Sequence, residues 1–182
     1  AAAQGELDTI LREQPDFAVA LLQRAALLLA MGDLDQARHA LDAAIAEMGD
    51  TIIRRLSATE LLLCRGSLRV LVSEDAAGLE DLARVGRLNP TRAEPHLAMM
   101  IAQQHLGRTF AWPTEAVPGD DEDPLLMDIM NIYRHGAAPE LPLRRIADHR
   151  YAWRRNDLTL AHYYLAEWFV MEGDLAAARE HF

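Results

Sequence analysis

A chain of 182 residues, 51% apolar and only 6% aromatic, is long enough for one domain with a real core or for a short repeat array, and its Ala- and Leu-rich make-up favours helices packed through small side chains. The net charge of -10 at pH 7 disfavours nucleic-acid phosphate and anionic lipid as partners. All 18 basic residues are Arg, which excludes a Schiff-base or P-loop lysine, and the single cysteine, Cys64, excludes an intramolecular disulfide and a cysteine-based zinc site.

The chain opens Ala1-Ala2-Ala3-Gln4, with neither an initiator Met nor a signal-peptide pattern, and reads as a mature or excised segment. The Lys-free, Ala-rich composition points to GC-rich coding and a bacterial source, and it leaves a cytoplasmic or periplasmic location open. Residues 1–15 are expected to carry one helix ended by Pro15, either half of a repeat or a free-standing cap. Residues 16–49 read as a helix, a tight turn and a second helix. Their signature is Gly32-Asp33-Leu34, with Ala25 seven residues before the Gly, and Ala37, Leu41 and Ala44 following it. Small residues belong where two helices cross closely, and large ones fill the space beside the crossing.

Residues 50–90 carry a weaker copy of that signature, preceded by extra length at 50–58. Ser73 stands at the turn, Gly66 and Gly78 at the crossing, Leu82 and Val85 beyond it, and Pro90 at the end. Residues 91–107 hold a partial repeat ending at Gly107, which lies 34 residues after Ser73. A Pro- and Gly-broken loop is expected over 108–123. Irregular helices follow over 124–157, around Leu125–His135 and Pro139–His149. Residues 158–182 repeat the first signature as Gly173-Asp174-Leu175, with Ala166 and Ala178 at the crossing, and read as a repeat cut short at Phe182. The longest apolar stretches are interrupted by Gln23-Arg24 and Arg65, so no transmembrane segment is expected.

These residues resemble the tetratricopeptide repeat (TPR) family, a 34-residue helix-turn-helix with small crossing residues, a turn Gly and a closing Pro. The resemblance is clear over 18–49 and 159–182, looser over 59–107, and fails at 50–58 and 108–157. It implies an all-α solenoid, a TPR-like right-handed superhelix with irregular middle helices. Residues 59–182 also resemble periplasmic TPR lipoprotein adaptors of the NlpI type, on Asn131-Ile132-Tyr133 and on Leu160-Ala161-His162-Tyr163-Tyr164-Leu165-Ala166-Glu167 before Gly173. The lipidated Cys of those adaptors is missing.

The family pattern places a partner in a groove lined by the first helix of each pair. Carried onto this chain, the groove residues are Val19, Leu22, Ala26, Leu29 and Ala30, then Glu60, Leu63, Ser67 and Val70. Such a lining suits an apolar peptide or an amphipathic helix. The Lys and Asn of the TPR carboxylate clamp do not occur at those places. The implied function is a non-enzymatic interaction scaffold with a protein or peptide partner, a second copy of the chain included. The alternatives are the TPR arm of a larger bacterial enzyme such as a transferase, or an assembly module of envelope or polysaccharide machinery.

No other motif carries chemistry. The seven His have no His-Glu-x-x-His spacing and read as packed or surface residues, with His135 and His149 near helix ends. Asp120-Asp121-Glu122-Asp123 lacks the internal Gly and closing Glu of a calcium loop. Arg144, Arg145, Arg150, Arg154 and Arg155 surround Tyr151 and Trp153. This patch reads either as an anchor for a carboxylate-rich segment, from a partner or from 120–123, or as an ordinary charged linker. Cys64 sits in an apolar run and reads as an inert packed thiol. No catalytic, cofactor or metal residues are assigned.

Overall fold

The computed structural model describes residues 2–15, 17–52, 56–112, 124–147 and 154–182; side-chain surroundings are described for these except 2–4, 18–19, 30, 47–52, 56–58 and 154–157. The described residues hold ten α-helices and no strand. In order they are α1 (Ala2–Glu13), α2 (Ala18–Ala30), α3 (Leu34–Ile52), α4 (Leu56–Leu71), α5 (Asp75–Leu88), α6 (Ala93–His105), α7 (Pro124–His135), α8 (Leu141–Ala147), α9 (Arg154–Glu172) and α10 (Leu175–His181). Both prolines expected to stop a helix stand between helices: Pro15 between α1 and α2, and Pro90 between α5 and α6. A proline ring cannot continue a helix, because it lacks the N–H and clashes with the preceding turn.

Two compact units divide the chain. One is Ala1–Pro90 with Ala98–Thr109, the other Thr91–Leu97 with Phe110–Phe182. In the first unit α1 packs on α2, α2 on both α3 and α4, α3 on α4, and α4 on α5. α2 and α3 thus pack on each other and both meet α4, the first helix of the next hairpin, as stacked TPR-like units do. In the second unit α7, α8 and α10 all pack on α9, and α7 also packs on α8.

The turns repeat atom by atom. Gly32 has φ 76° and donates its N–H to the Leu29 carbonyl at 2.9 Å, while Asp33 N–H reaches Leu28 at 3.0 Å. Ser73 (φ 62°) bonds Val70 and Glu74 bonds Arg69; Gly107 (φ 67°) bonds Gln104 and Arg108 bonds Gln103; Gly173 (φ 80°) bonds Val170 and Asp174 bonds Phe169. This pair of bonds is the Schellman cap, which satisfies the last carbonyls of a helix through one left-handed residue. Ser73 is the only described non-Gly residue at positive φ. Its side chain occupies a backbone region that costs an L-residue about 1–2 kcal/mol.

The residue after the turn opens the next helix. Asp33 Oδ1 accepts the Gln36 N–H at 3.1 Å, and Asp174 Oδ1 accepts that of Ala177 at 3.0 Å. Glu74 occupies the same place in the second hairpin and makes no side-chain cap. Its longer stem does not fold back onto its own helix.

The small crossing residues are all buried: Ala25, Ala37, Gly66, Gly78, Ala166 and Ala178. A Cβ on Gly78 would lie 2.9 Å from the Gly66 carbonyl oxygen, and one on Gly66 would lie 2.8 Å from Leu82 Cγ. Leu41 and Leu82, nine residues past their turns, are fully buried. Phe182, at the C-cap of α10, holds that slot in the last copy and is 74% exposed.

Candidate protein-binding face

α2 and α4 are the first helices of successive hairpins and lie against each other. On α2, Leu22 and Leu29 are half-buried and Ala26 is exposed; Val19 and Ala30 lie among the residues whose side chains are outside the description. On α4, Glu60 is half-buried and Ser67 exposed, whereas Leu63 and Val70 are buried, 7% and 2% exposed. Val70 is held by the crossing itself, since its Cγ2 stands where a Cβ on Gly78 would come within 2.9 Å. The accessible part of the predicted face is therefore Leu22, Ala26 and Leu29 beside Glu60 and Ser67. An open depression of about 550 Å³ lies at the turn edge, lined by Met31–Asp35 and Val72 and by none of the predicted residues.

Beside that face runs an ionic network for which the sequence gives no warning. Arg65 of α4 forks onto Asp81 of α5, Nε to Oδ2 and Nη2 to Oδ1, both at 2.7 Å, and its Nη1 reaches Asp42 of α3 at 2.9 Å. One helical turn on, Arg69 donates to the same two carboxylates, at 3.0 Å to Asp81 and 3.2 Å to Asp42. Glu74 bonds Arg38 of α3, so the residue that does not cap α5 ties it to the preceding hairpin. Hydrogen bonding to Asp81 leads the effects that raise the Arg65 pKa above its ordinary value, against the opposing effect of burial. Bidentate guanidinium–carboxylate geometry is specific as well as strong, so it fixes the register of α3, α4 and α5. At the start of α5, Asp75 meets His105 of α6 at 3.0 Å.

The second unit is organised differently. The Tyr133 hydroxyl donates to the Tyr164 backbone carbonyl, joining α7 to α9. Burial raises the pKa of both phenols well above the ordinary tyrosine value, so both stay neutral. The Arg134 guanidinium stands 5.5 Å over the Trp112 ring, which itself meets Phe110 edge-on at 5.0 Å. His162 and His181 face each other with Nδ1 atoms 2.9 Å apart.

Of the predicted Arg and aromatic patch, Arg145 is paired with the buried Asp128 of α7, with Nη2 to Oδ1 at 2.9 Å. Arg144 is exposed on α8. Arg154 and Arg155 begin α9, and their side chains, with all of Arg150, Tyr151 and Trp153, lie outside the described residues. So do Asp120–Asp123 and His149. Among the described residues no three His, Cys, Asp or Glu side chains gather as a metal site would need, and no helix is long and apolar enough to cross a membrane.

These features define an all-α protein of TPR-like helix-turn-helix units. No family model and no curated protein matches the chain, so kinship with NlpI-type adaptors has no support beyond the residues quoted above. A solved structure described as the crystal structure of MamA is similar over 97% of this chain and 80% of that chain, at 14% identity and a TM-score of 0.48.

Proposed function

We propose that the chain is a non-enzymatic interaction scaffold that holds a peptide or helix of a protein partner along α2 and α4. The observation that carries this reading is the side-by-side packing of the two helices, with apolar Leu22, Ala26 and Leu29 left partly open along α2. An amphipathic helix laid on such a strip buries its own apolar face there. On the neighbouring α4, Leu63 and Val70 are buried, and Glu60 and Ser67 would give the strip a polar margin.

Photo-crosslinking tests the proposal. A benzophenone side chain introduced at exposed Ala26 should yield a covalent adduct with the partner, and one at exposed Glu80 on α5 should not. Leu22→Asp combined with Leu29→Asp should weaken binding at least about tenfold, or about 1.4 kcal/mol. Equal adduct yield from both positions, or unchanged binding by a folded double variant, removes this face from consideration.

A further inference from the structure

The last hairpin packs α10 on α9. α10 has seven residues, and Ala178 is its only buried one. Asp174 caps its first turn. The described polar and ring contacts between α10 and α9 centre on the imidazole pair: His181 Nδ1 lies 2.9 Å from His162 Nδ1, and the His181 ring stacks on Phe169 at 5.4 Å and 16°.

Two imidazole nitrogens at that distance share one proton. One Nδ1 must carry hydrogen and donate, and the other must offer its lone pair. The neutral pair satisfies this. A singly protonated pair satisfies it too, because the cation donates from Nδ1 and the neutral ring accepts. A doubly protonated pair cannot, since both Nδ1 atoms then carry hydrogen and the two rings repel.

We propose that His162 and His181 form an acid-sensitive latch, which releases α10 from α9 when both rings are protonated and uncovers the side of α9 that carries Ala166. The direction of titration agrees with the geometry. Burial first, and His162 second, lower the His181 pKa below its ordinary value, against the opposing pull of Glu180 on the same helix. α7 and α8, which also pack on α9, set no hydrogen bond or ion pair on either ring among the described residues: Asp128 is held by Arg145, and Tyr133 donates to the Tyr164 carbonyl. A histidine whose folded pKa is lowered stabilises the fold fully above the unfolded value of about 6.5. That contribution is lost as the pH falls from there through the lowered value. The latch is thus closed near neutrality and opens on acidification.

Hydrogen exchange on the 182-residue chain reads the latch directly. Between about pH 7.5 and about pH 5, with exchange corrected for its intrinsic pH dependence, amides of α10 should lose at least about tenfold in protection while α4 and α5 keep theirs. His181→Phe preserves the stack on Phe169 and cannot be charged; it should keep α10 protected at the lower pH. His162→Gln supplies an acceptor to a protonated His181 and should do the same by another route. α10 protection that does not change with pH, or that falls together with α4 and α5, overturns the proposal. So does acid loss in both variants equal to that of the unmodified chain.

Discussion

In the α2/α3 hairpin the crossing is made by Ala25 and Ala37, and the turn by Gly32-Asp33. In the α4/α5 hairpin the crossing is made by Gly66 and Gly78, and the turn by Ser73-Glu74. The first arrangement satisfies local preferences: Ala is the best helix former, Gly accepts positive φ, and Asp caps the next helix. The second violates all three, with Gly inside two helices, Ser at φ 62° and an uncapping Glu. What it gains is tertiary. The two glycines let the helix backbones approach until a Cβ would stand 2.9 Å from a carbonyl oxygen, and Glu74, Arg65 and Arg69 reach neighbouring helices instead of their own. Local propensity is given up where the array must lock one hairpin to another.

The sharpest way to break this comparison is a charge in the Ala crossing. Ala37→Glu should cost over ~3 kcal/mol, because Ala37 is fully buried and the carboxylate has neither space nor partner. Ala178→Glu strikes the matching residue of α10, but its cost is limited to the free energy that holds that short helix. It should appear as local loss of exchange protection rather than as a lowered melting point of the whole chain. Melting of Ala37→Glu like the unmodified protein would reject the shared register.

Gly78→Ala separates the two kinds of crossing more finely. A helix interior normally gains about 1 kcal/mol from this change. Here the methyl group meets the Gly66 carbonyl oxygen at 2.9 Å and Val70 N at 3.3 Å, which are backbone atoms and cannot rotate away. The net effect should be destabilising by about 1–3 kcal/mol, measured by urea unfolding. Ser73→Gly acts in the opposite direction and is smaller. Relieving the left-handed serine should stabilise the α4/α5 hairpin by about 1 kcal/mol, seen as a higher urea midpoint at unchanged slope.

Most of the array was legible because its turns and crossings lie at fixed offsets from single residues. Ser73 is the clearest case. Nothing about a serine announces a left-handed turn, but its distance from Gly66, Gly78 and Pro90 does, and its φ of 62° agrees with that count. The ionic network was not legible. In the sequence Arg65 stands out only as a break in an apolar stretch, since its partners Asp42 and Asp81 come from two other helices and follow no motif. The His162–His181 pair left a faint signal. The two residues lie eleven before and eight after Gly173, comparable distances along the two arms of one hairpin. The predicted groove was legible only as a face of helices. Which of its residues stay open depends on how closely the crossing draws α4 and α5 together, and that closeness buries Val70.

The carboxylates and guanidiniums joining α3, α4 and α5 also bear on heat. Removing charge from water becomes less costly as temperature rises, because the hydration entropy of ions is strongly negative. Apolar packing gains no such relief. In the first unit, warming should therefore tilt the balance toward the centre: α1, held on α2 by buried Leu11 and an exposed ion pair, Asp8 with Arg24 at 3.5 Å, is expected to loosen before the hairpins that share the part-buried Arg65 and Arg69. Thermal unfolding of this unit is expected to run inward from α1, with the charged centre its last folded part.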